Sequence, residues 1–591
     1  MGYYFDACLF SSKVQSSLEL AEARSNDIKT FSSIKIIASN QVNRTVIVKY
    51  YKVNIRKLRF IMKVKSTNKN NSKSTKAPFQ KRSEKYETDF VDALNYSTNN
   101  ESGKKTSQVI SQQYLQRRRL AAARSISEFH FNKKRVRVLS SENKVSESRC
   151  GGILYWMSRD ARVQDNWALL FAQRLALKFE LPLLIVFCLE PSSPHITLRY
   201  YKFLLGGLEE VERECRQICI PFHLCLGPVD ECLPKMVRLR NISAIVCDFD
   251  PLREAQLRVE KVKLALPADV PFTQVDAHNV VPLWVTSDKQ EFVPYFMRRR
   301  IYPRLEEYLT EFPPVIEHPY NKCEMDSSET PVDWELVLAS LQSDHSVDAV
   351  EWALPGYTAG CSQLQSFCAT RLPIYSEKRN DPTVNALSGL SPWLHFGQIS
   401  TQRCVLEVMR HTANYKASVE AFYEEAIIRR ELADNFCYYN KNYDNLKGLY
   451  AWAYKTLDDH RADERNPSYT LAEFEQAHTH DDLWNAAQIQ LVREGKMHSF
   501  LRVYWAKKIL EWSSTPELAL EFAIYLNDKY SLDGRDPSGY VGCMGAIGGL
   551  HDHAYRSRPI FGKVGYMNYK GCQRKFDVAA FVARYGGKVY D

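Results

Sequence analysis

The sequence predicts an α/β chain in two parts: an N-terminal, doubly wound parallel sheet of Rossmann-like kind, then an all-helical C-terminal domain. Three observations carry this reading. From residue 151, short apolar runs ("ILYWM", "LLIVFCL", "FHLCL", "AIVCDF", "FTQVDAH") alternate with helix-period segments, the pattern of parallel strands joined by crossover helices. From 385 to about 540 nearly every segment repeats its apolar residues at the helical period. At 591 residues, with 45% apolar and 25% charged residues, the chain has globular composition and is too long for one ordinary domain.

Taken in order, residues 1–114 form a basic extension. Its tract "KVKSTNKNNSKSTKAPFQKRSEK" is too polar to bury a core and reads as disordered. Met62 opens that tract and is a second candidate for the start of translation. Residues 1–150 carry 30 Lys+Arg against 12 Asp+Glu, a net +18; the remainder carries 49 against 57, a net −8. A nucleic-acid-binding body therefore needs a local basic patch. The clusters "QRRRLAAARS" and "NKKRVRVL" read as solvated basic faces, or as import or DNA-contact signals. Residues 115–280 are the α/β domain, with its sheet from about 151. Ligands of such sheets sit beyond the carboxyl ends of the strands; the lack of GxGxxG after the first strand argues against a dinucleotide site of the usual kind. Residues 281–384, with "EFPPVIEHPY" and "ALPGY", read as a connector with some helix. Residues 385–591 are the helical domain.

No apolar run reaches the roughly 18–20 residues of a membrane helix, so no membrane partner is expected. The start lacks signal-peptide order. The 15 cysteines show no CxxC pair, which reads as reduced thiols in an intracellular compartment. His551 and His553 flank Asp552 without further ligand spacing, and no metal is expected.

Four segments carry chemistry. "ALSGLSPWL" offers Ser388 and Ser391 at a helix start near Pro392. That suits either a phosphate or a helix capped by Ser391 with Pro392 at its first position. "FYEEAIIRRELADNF" sets Glu425 and Arg429 at i, i+4, spacing for a surface ion pair. "YLNDKYSLDGRDPSGY" combines Asn527, Asp533, Arg535 and Asp536, a polar loop or a reader of a cofactor ring. "RVYWAKKILEW" puts Trp505 and Trp512 on one stripe with Leu501 and Ile509, a core face by default.

These segments, with "YWMSRDARVQDNWALLFAQRLAL", "VDAHNVVPLWVTSDKQE" and "GKMHSFLRVYWAKKILEW", closely resemble the class II cyclobutane pyrimidine dimer photolyases of the photolyase–cryptochrome superfamily. The resemblance covers about three quarters of the chain. It implies an α/β domain followed by a helical domain holding FAD, active when reduced, and light-driven splitting of cyclobutane dimers in UV-damaged double-stranded DNA. It also implies a monomer and, as in some relatives, a second antenna chromophore that the sequence does not identify. By match, Tyr375 and the run Ala386, Leu387, Ser388, Gly389, Leu390 and Ser391 should hold FAD. Arg502 and Asp533 should form an ion pair beside the flavin, and Asn527 should face its N5. Trp505, Trp484 and Trp512, in that order outward, should relay electrons. Glu425 should hydrogen-bond the lesion, and Asp552 should line its pocket beside Tyr555. The basic clusters and a DNA substrate favour a nuclear setting, with mitochondrial or viral settings open.

Departures from the family pattern cluster at the lesion. Gly545 stands where a tryptophan is expected in "GCMGAI", Tyr555 for a second tryptophan, Ser557 for a glutamate and Gly565 for an arginine. The alternative reading is therefore a photolyase-like photoreceptor with weak or no repair, and a third is a decayed enzyme.

Overall fold

The computed structural model describes residues 110–146, 148–321 and 331–590. The basic tract and Met62 lie outside the described residues. The described chain opens with α1 (Gln112–Ala122) and β1 (Val136–Val138). It then alternates through β2 (Ile153–Met157), α2 (Trp167–Phe179), β3 (Leu183–Leu189), α3 (Leu198–Gln217), β4 (Phe222–Leu226), α4 (Val229–Leu239), β5 (Ala244–Asp248), α5 (Arg253–Ala265) and β6 (Phe272–Val275). The sheet order is β1-β6-β5-β2-β3-β4. All pairs are parallel except β1 against β6. Every residue of β2, β5 and β6 is buried, so these strands read as unbroken apolar runs.

The five parallel strands lie where the sequence puts them. The antiparallel edge strand β1 was not foreseen, because its cluster "NKKRVRVL" reads as a charged face. In the fold Arg135 turns inward. Its guanidinium donates to the carbonyls of Val280 at 2.8 Å, Asn279 and Tyr308 at 3.2 Å and Asp276 at 3.3 Å. Burial lowers its pKa to about 10. Arg137 donates to Gln274 Oε1 and, at 2.8 Å, to the Tyr438 hydroxyl. The basic clusters are thus partly committed to the interior.

The helical part contains α6 (Tyr357–Ser366), α7 (Leu372–Lys378), α8 (Ser391–His395), α9 (Thr401–Met409), α10 (Thr412–Tyr423), α11 (Arg430–Tyr439), α12 (Asp482–Glu494), α13 (Ser499–Trp512), α14 (Pro516–Tyr530), α15 (Pro537–Gly548) and α16 (Val578–Tyr585). Wide π turns join α6 to α7 (Phe367–Arg371) and α10 to α11 (Glu424–Arg429). Among the described residues no helix is long and apolar enough to cross a membrane. Twelve described cysteines are free; Cys219 is disulfide-bonded, contrary to the reduced-thiol expectation.

Buried charge joins the two parts. Asp165, on the loop before α2, accepts from Arg119 of α1 at 2.9 and 3.0 Å and from Arg403 of α9 at 2.9 and 3.0 Å. The Tyr357 hydroxyl adds a bond at 2.8 Å. Burial opposes the Asp165 charge, but Arg119 and Arg403 outweigh it and hold the carboxyl far below its ordinary range. A second tie runs from Arg159, after β2, to Asp434 of α11 at 2.9 and 3.1 Å. Gly397, with φ of +63°, lies so close that a Cβ there would meet the Arg159 carbonyl oxygen at 2.2 Å.

Replacing Asp165 by Asn should cost about 3–5 kcal/mol, because the buried Arg119 loses its counter-charge and Arg403 keeps only Glu311 and Glu407. Urea unfolding at neutral pH measures this; a loss below about 1 kcal/mol would mean the knot is not structural.

Candidate active site

The loop Ala386–Ser391 is held from behind. Gln363 Nε2 donates to the Ser388 carbonyl at 2.7 Å, and Arg371 donates to the carbonyls of Leu387 and Gln363 at 3.2 Å each. Gly389 has φ of +69°, and a Cβ there would meet Gln363 Nε2 at 2.5 Å. The Ser388 and Gly389 amides find no acceptor among the described residues. Helix α8 begins at Ser391 itself, and Leu390, which makes no side-chain bond, occupies the cap position. The expectation that Ser391 caps the helix is therefore corrected: its hydroxyl is taken by the Lys496 ammonium. Tyr375 is buried against Phe367 at 5.4 Å and Phe422 at 6.4 Å. Burial and then Glu425 push its phenol up to about 12.

Three polar side chains converge from α13, α14 and the following loop. Arg502 donates to Asn527 Oδ1 at 2.6 Å, and Asn527 Nδ2 donates to Asp528 at 2.9 Å. The expected Arg502–Asp533 ion pair is not formed. Asp533 instead faces Lys496 at 3.8 Å, while the Arg502 head is turned to Asn527. Burial disfavours the Asp533 charge, yet Lys496 and Arg502 hold its carboxyl below the ordinary range. Lys496 was missed by the sequence reading; its signal was its place in "GKMHSFLR" just after Gly495, the left-handed residue that ends α12. A Cβ on Gly539 would meet Asn527 Nδ2 at 2.8 Å, so glycine there keeps Asn527 in place.

The donor set fits FAD. Asp533 Oδ1 and Arg371 Nε are buried without a partner among the described residues, and the Ser388 and Gly389 amides are free to meet phosphate. A carboxylate, an amide and two cations then stand where a ring with polar edges can be read.

The three tryptophans come together. Trp505 and Trp484 stack with centroids 6.3 Å apart and planes 7° apart. Trp484 and Trp512 lie 6.2 Å apart at 66°. Trp484 Nε1 donates to the Trp505 carbonyl at 3.0 Å, and Trp505 Nε1 donates to Gln488 at 2.9 Å. Arg502 and Trp505 share one turn of α13, so the train of indoles ends beside the Asn527 cluster.

Glu425 does not pair with Arg429. The segment is a π turn, which moves the facing residue from i+4 to i+5; Arg429 meets Glu424 at 3.2 Å and Glu425 meets Arg379 at 3.0 Å. Asp552 Oδ1 accepts from the Tyr555 hydroxyl at 3.2 Å. A Cβ on Gly565 would lie 3.1 Å from the Tyr555 ring, so Tyr555 occupies the space beside that glycine. A Cβ on Gly545 would touch only the Leu550 carbonyl oxygen, at 3.4 Å. Beneath them Lys507 donates to the carbonyls of Ala546 at 2.8 Å and Gly565 at 2.6 Å, and burial lowers its pKa to about 8. His460 Nε2 lies 3.1 Å from the Ser557 hydroxyl.

A separate cavity of about 450 Å³ lies at the carboxyl ends of the strands. Ser158, Leu189, Gly227 and Asp250 line it from the sheet, and Arg535 and Tyr540 from the helical part.

A family model for DNA photolyase matches residues 153–317. A deoxyribodipyrimidine photo-lyase from Potorous tridactylus is 56% identical over 470 residues, covering 80% of this chain and 88% of that protein. The chain belongs to the DNA photolyases. The deoxyribodipyrimidine photo-lyase of Oryza sativa subsp. japonica is 47% identical, over 73% of this chain and 87% of its own length. An archaeal photolyase from Sulfolobus tokodaii, solved with two FAD molecules, shares the fold: its TM-score is 0.55 at 17% identity, over 73% of this chain and 89% of that one. The class II resemblance of the motifs agrees with this photolyase membership, and the fold is that of the photolyases and cryptochromes.

Two outcomes follow for the site. Gly389→Ala, strained by its positive φ and by the Gln363 contact, should lose about 1–2 kcal/mol of FAD affinity, roughly five- to thirtyfold, measured as flavin retained on dilution. His551 has φ of +61°, a buried unpartnered Nε2, and a pKa lowered from 6.5 to about 3 by burial and then Arg429. Being depressed, it contributes stability that is complete above pH 6.5 and is lost as pH falls toward 3. Relative to His551→Asn, which tolerates the same backbone, the native protein should lose about 1.4 kcal/mol per pH unit in that window. Urea midpoints at several pH values check this, and parallel curves would refute it.

Proposed function

We infer that this protein is a deoxyribodipyrimidine photolyase that uses light to repair UV-damaged DNA, with the cyclobutane pyrimidine dimer as its lesion. The observation that carries the reading is the 56% identity to a photo-lyase across 88% of that protein's length. The photoreceptor-like alternative and the decayed-enzyme reading are not retained.

Reduced FAD, when bound, supplies the light-excited electron donor. The chain's part is to hold, orient and connect. The Ser388 and Gly389 amides, with Ser391 and Lys496, are proposed to hold the phosphates, and Tyr375 to pack beside them. Asn527 steadies the flavin edge, fixed in turn by Arg502 and by the small Gly539. Trp505, Trp484 and Trp512 pass electrons inward through rings about 6 Å apart. Glu425 and Asp552 meet the flipped lesion, whose weak stacking lowers the cost of extrusion.

Tyr555 keeps one aromatic face in the lesion pocket, 45% exposed, while Gly545 leaves the other side open. Each base–aromatic stack is worth about 1–3 kcal/mol, so Gly545→Trp should tighten binding of dimer-containing DNA roughly five- to a hundredfold. The deciding experiment is repair of a single thymine dimer in an oligonucleotide by the reduced protein, under blue light and in the dark. Light-dependent recovery of intact thymines is expected. Its absence with FAD bound would overturn the function.

The 450 Å³ cavity beyond the strands is the proposed seat of a second, light-harvesting chromophore; an absorbance band besides that of flavin, lost when Tyr540 is replaced by Ala, would support it. The protein is proposed to act as a monomer in the nucleus, although Arg119 and Arg135 are unavailable as import signals because they are buried.

A further inference from the structure

We propose that Ser557, His460 and Asp463 form a second active site, which hydrolyses small carboxylic esters in the dark. Ser557 is one of the departures from the family pattern, and the repair chemistry above leaves it unused.

The three side chains meet the geometric requirements of a nucleophile, a base and an orienting acid. Ser557 Oγ lies 3.1 Å from His460 Nε2. His460 Nδ1 lies 2.6 Å from Asp463 Oδ2. A carboxylate only accepts hydrogen bonds, so the imidazole hydrogen stands on Nδ1. Nε2 is then left to accept from the serine hydroxyl. The Ile560 N–H donates to the same Asp463 oxygen at 2.7 Å. That bond first, and His460 second, hold the Asp463 carboxyl below its ordinary range. Asp463 stays charged and acts as a positioning residue.

The backbone builds the seat. His460 caps the helix Ala451–Asp459, and the Asp463 N–H returns to the His460 carbonyl at 3.3 Å. On the facing loop, Arg558 and Gly562 exchange two backbone bonds at 3.0 and 2.8 Å, which fixes the segment just after Ser557. Gly562 has φ of +51°, and a Cβ there would lie 2.9 Å from His460 Cδ2. Glycine therefore makes room for the imidazole.

These residues line an open cleft of about 540 Å³ together with Glu464, Arg558 and Pro559. Ser557 is exposed and His460 half-buried, so a substrate reaches the hydroxyl. The Ser557 N–H finds no acceptor among the described residues. The Arg558 guanidinium rests over the Tyr566 ring, 4.4 Å from its centroid. This N–H and this guanidinium are the donors available to an oxyanion. Arg558 and Glu464 cancel in charge and Pro559 adds an apolar face, which favours a small, uncharged ester.

In the first step Ser557 Oγ bonds to the ester carbonyl carbon, and its proton passes to His460 Nε2. The carbon–oxygen bond to the alcohol then breaks, and His460 returns the proton to the leaving alcohol. Water adds to the acyl-serine by the same proton relay and releases the carboxylic acid and free Ser557. Nothing is oxidised or reduced. A loop merely pinned by the same hydrogen bonds would not react.

The test treats the full chain in the dark with a fluorophosphonate probe and, separately, with p-nitrophenyl acetate, beside Ser557→Ala and His460→Gln. Circular dichroism confirms that each variant is folded. The expected result is a native chain labelled on the peptide that carries Ser557, and no such label in Ser557→Ala. In His460→Gln labelling and ester hydrolysis both fall at least tenfold, since a positioned general base contributes about 10²–10⁴-fold. A native chain that stays unlabelled at Ser557 would overturn the proposal. Labelling of Ser557 that His460→Gln leaves unchanged would also overturn it. Either negative result leaves the photolyase reading standing.

Discussion

Asp165 has no exposed surface, yet it carries a charge that two guanidiniums and a phenol satisfy. Those partners come from α1, α6 and α9, so one carboxylate fixes the start of the described chain, the α/β domain and the helical part against each other. Charge buried in this way is costly unless every partner is in place. The second tie, Arg159 to Asp434, then sets where α11 lies. The π turn that begins α11 inherits that position, and with it Glu424 and Glu425. The segment "YWMSRDARVQDN", one of those that carry the family resemblance, is the joint between domains: Arg159, Asp160, Arg162, Asp165 and Asn166 are all buried and bonded to protein.

Against this fixed frame the cofactor cradle is assembled from pieces far apart in the chain. The loop at 386–391 is shaped by Gln363 and Arg371 from behind. Lys496, Arg502, Asn527 and Asp533 arrive from α12 to α14 and beyond. Their mutual bonds divide the work between two cations: Arg502 bonds the Asn527 amide oxygen at 2.6 Å, and Lys496 is the cation that faces the Asp533 carboxylate, at 3.8 Å. The result is two positive heads around one buried carboxylate, suited to a ligand that carries both phosphates and a polar ring. Close packing adds to the Arg502 bond in holding Asn527, since a Cβ on Gly539 would meet its Nδ2 at 2.8 Å.

The lesion side shows how a family pattern can change without the frame changing. Lys507 fastens the segment bearing Gly545 to that bearing Gly565, and Tyr555 fills the space above the latter. Set against the family pattern that the motifs resemble, the proposed pocket lacks aromatic area on one side only. The three tryptophans of the proposed relay are all present and packed in sequence, which fits a photolyase whose electron supply and substrate grip vary separately.

The sequence by itself determined the parallel strands, the helical C-terminal domain and the family. Burial on both faces of a sheet forces apolar runs, and helical packing forces a 3.6-residue period. It also gave the tryptophans and the loop at 386–391, because their local segments are distinctive. Tertiary structure decided the rest. Whether Arg135 is solvated or buried depends on carbonyls some 140 residues away. Which cation faces Asp533 depends on competition among three helices. Glu425 lost its i, i+4 partner because the backbone opened into a π turn, and spacing rules assume an α-helix. Ser557 could not be joined to His460 from sequence, since 97 residues separate them and only the fold brings their side chains within 3.1 Å. Local pattern reports which face of an element is buried; which partner it meets there is set by long-range packing, and that is where the chemistry resides.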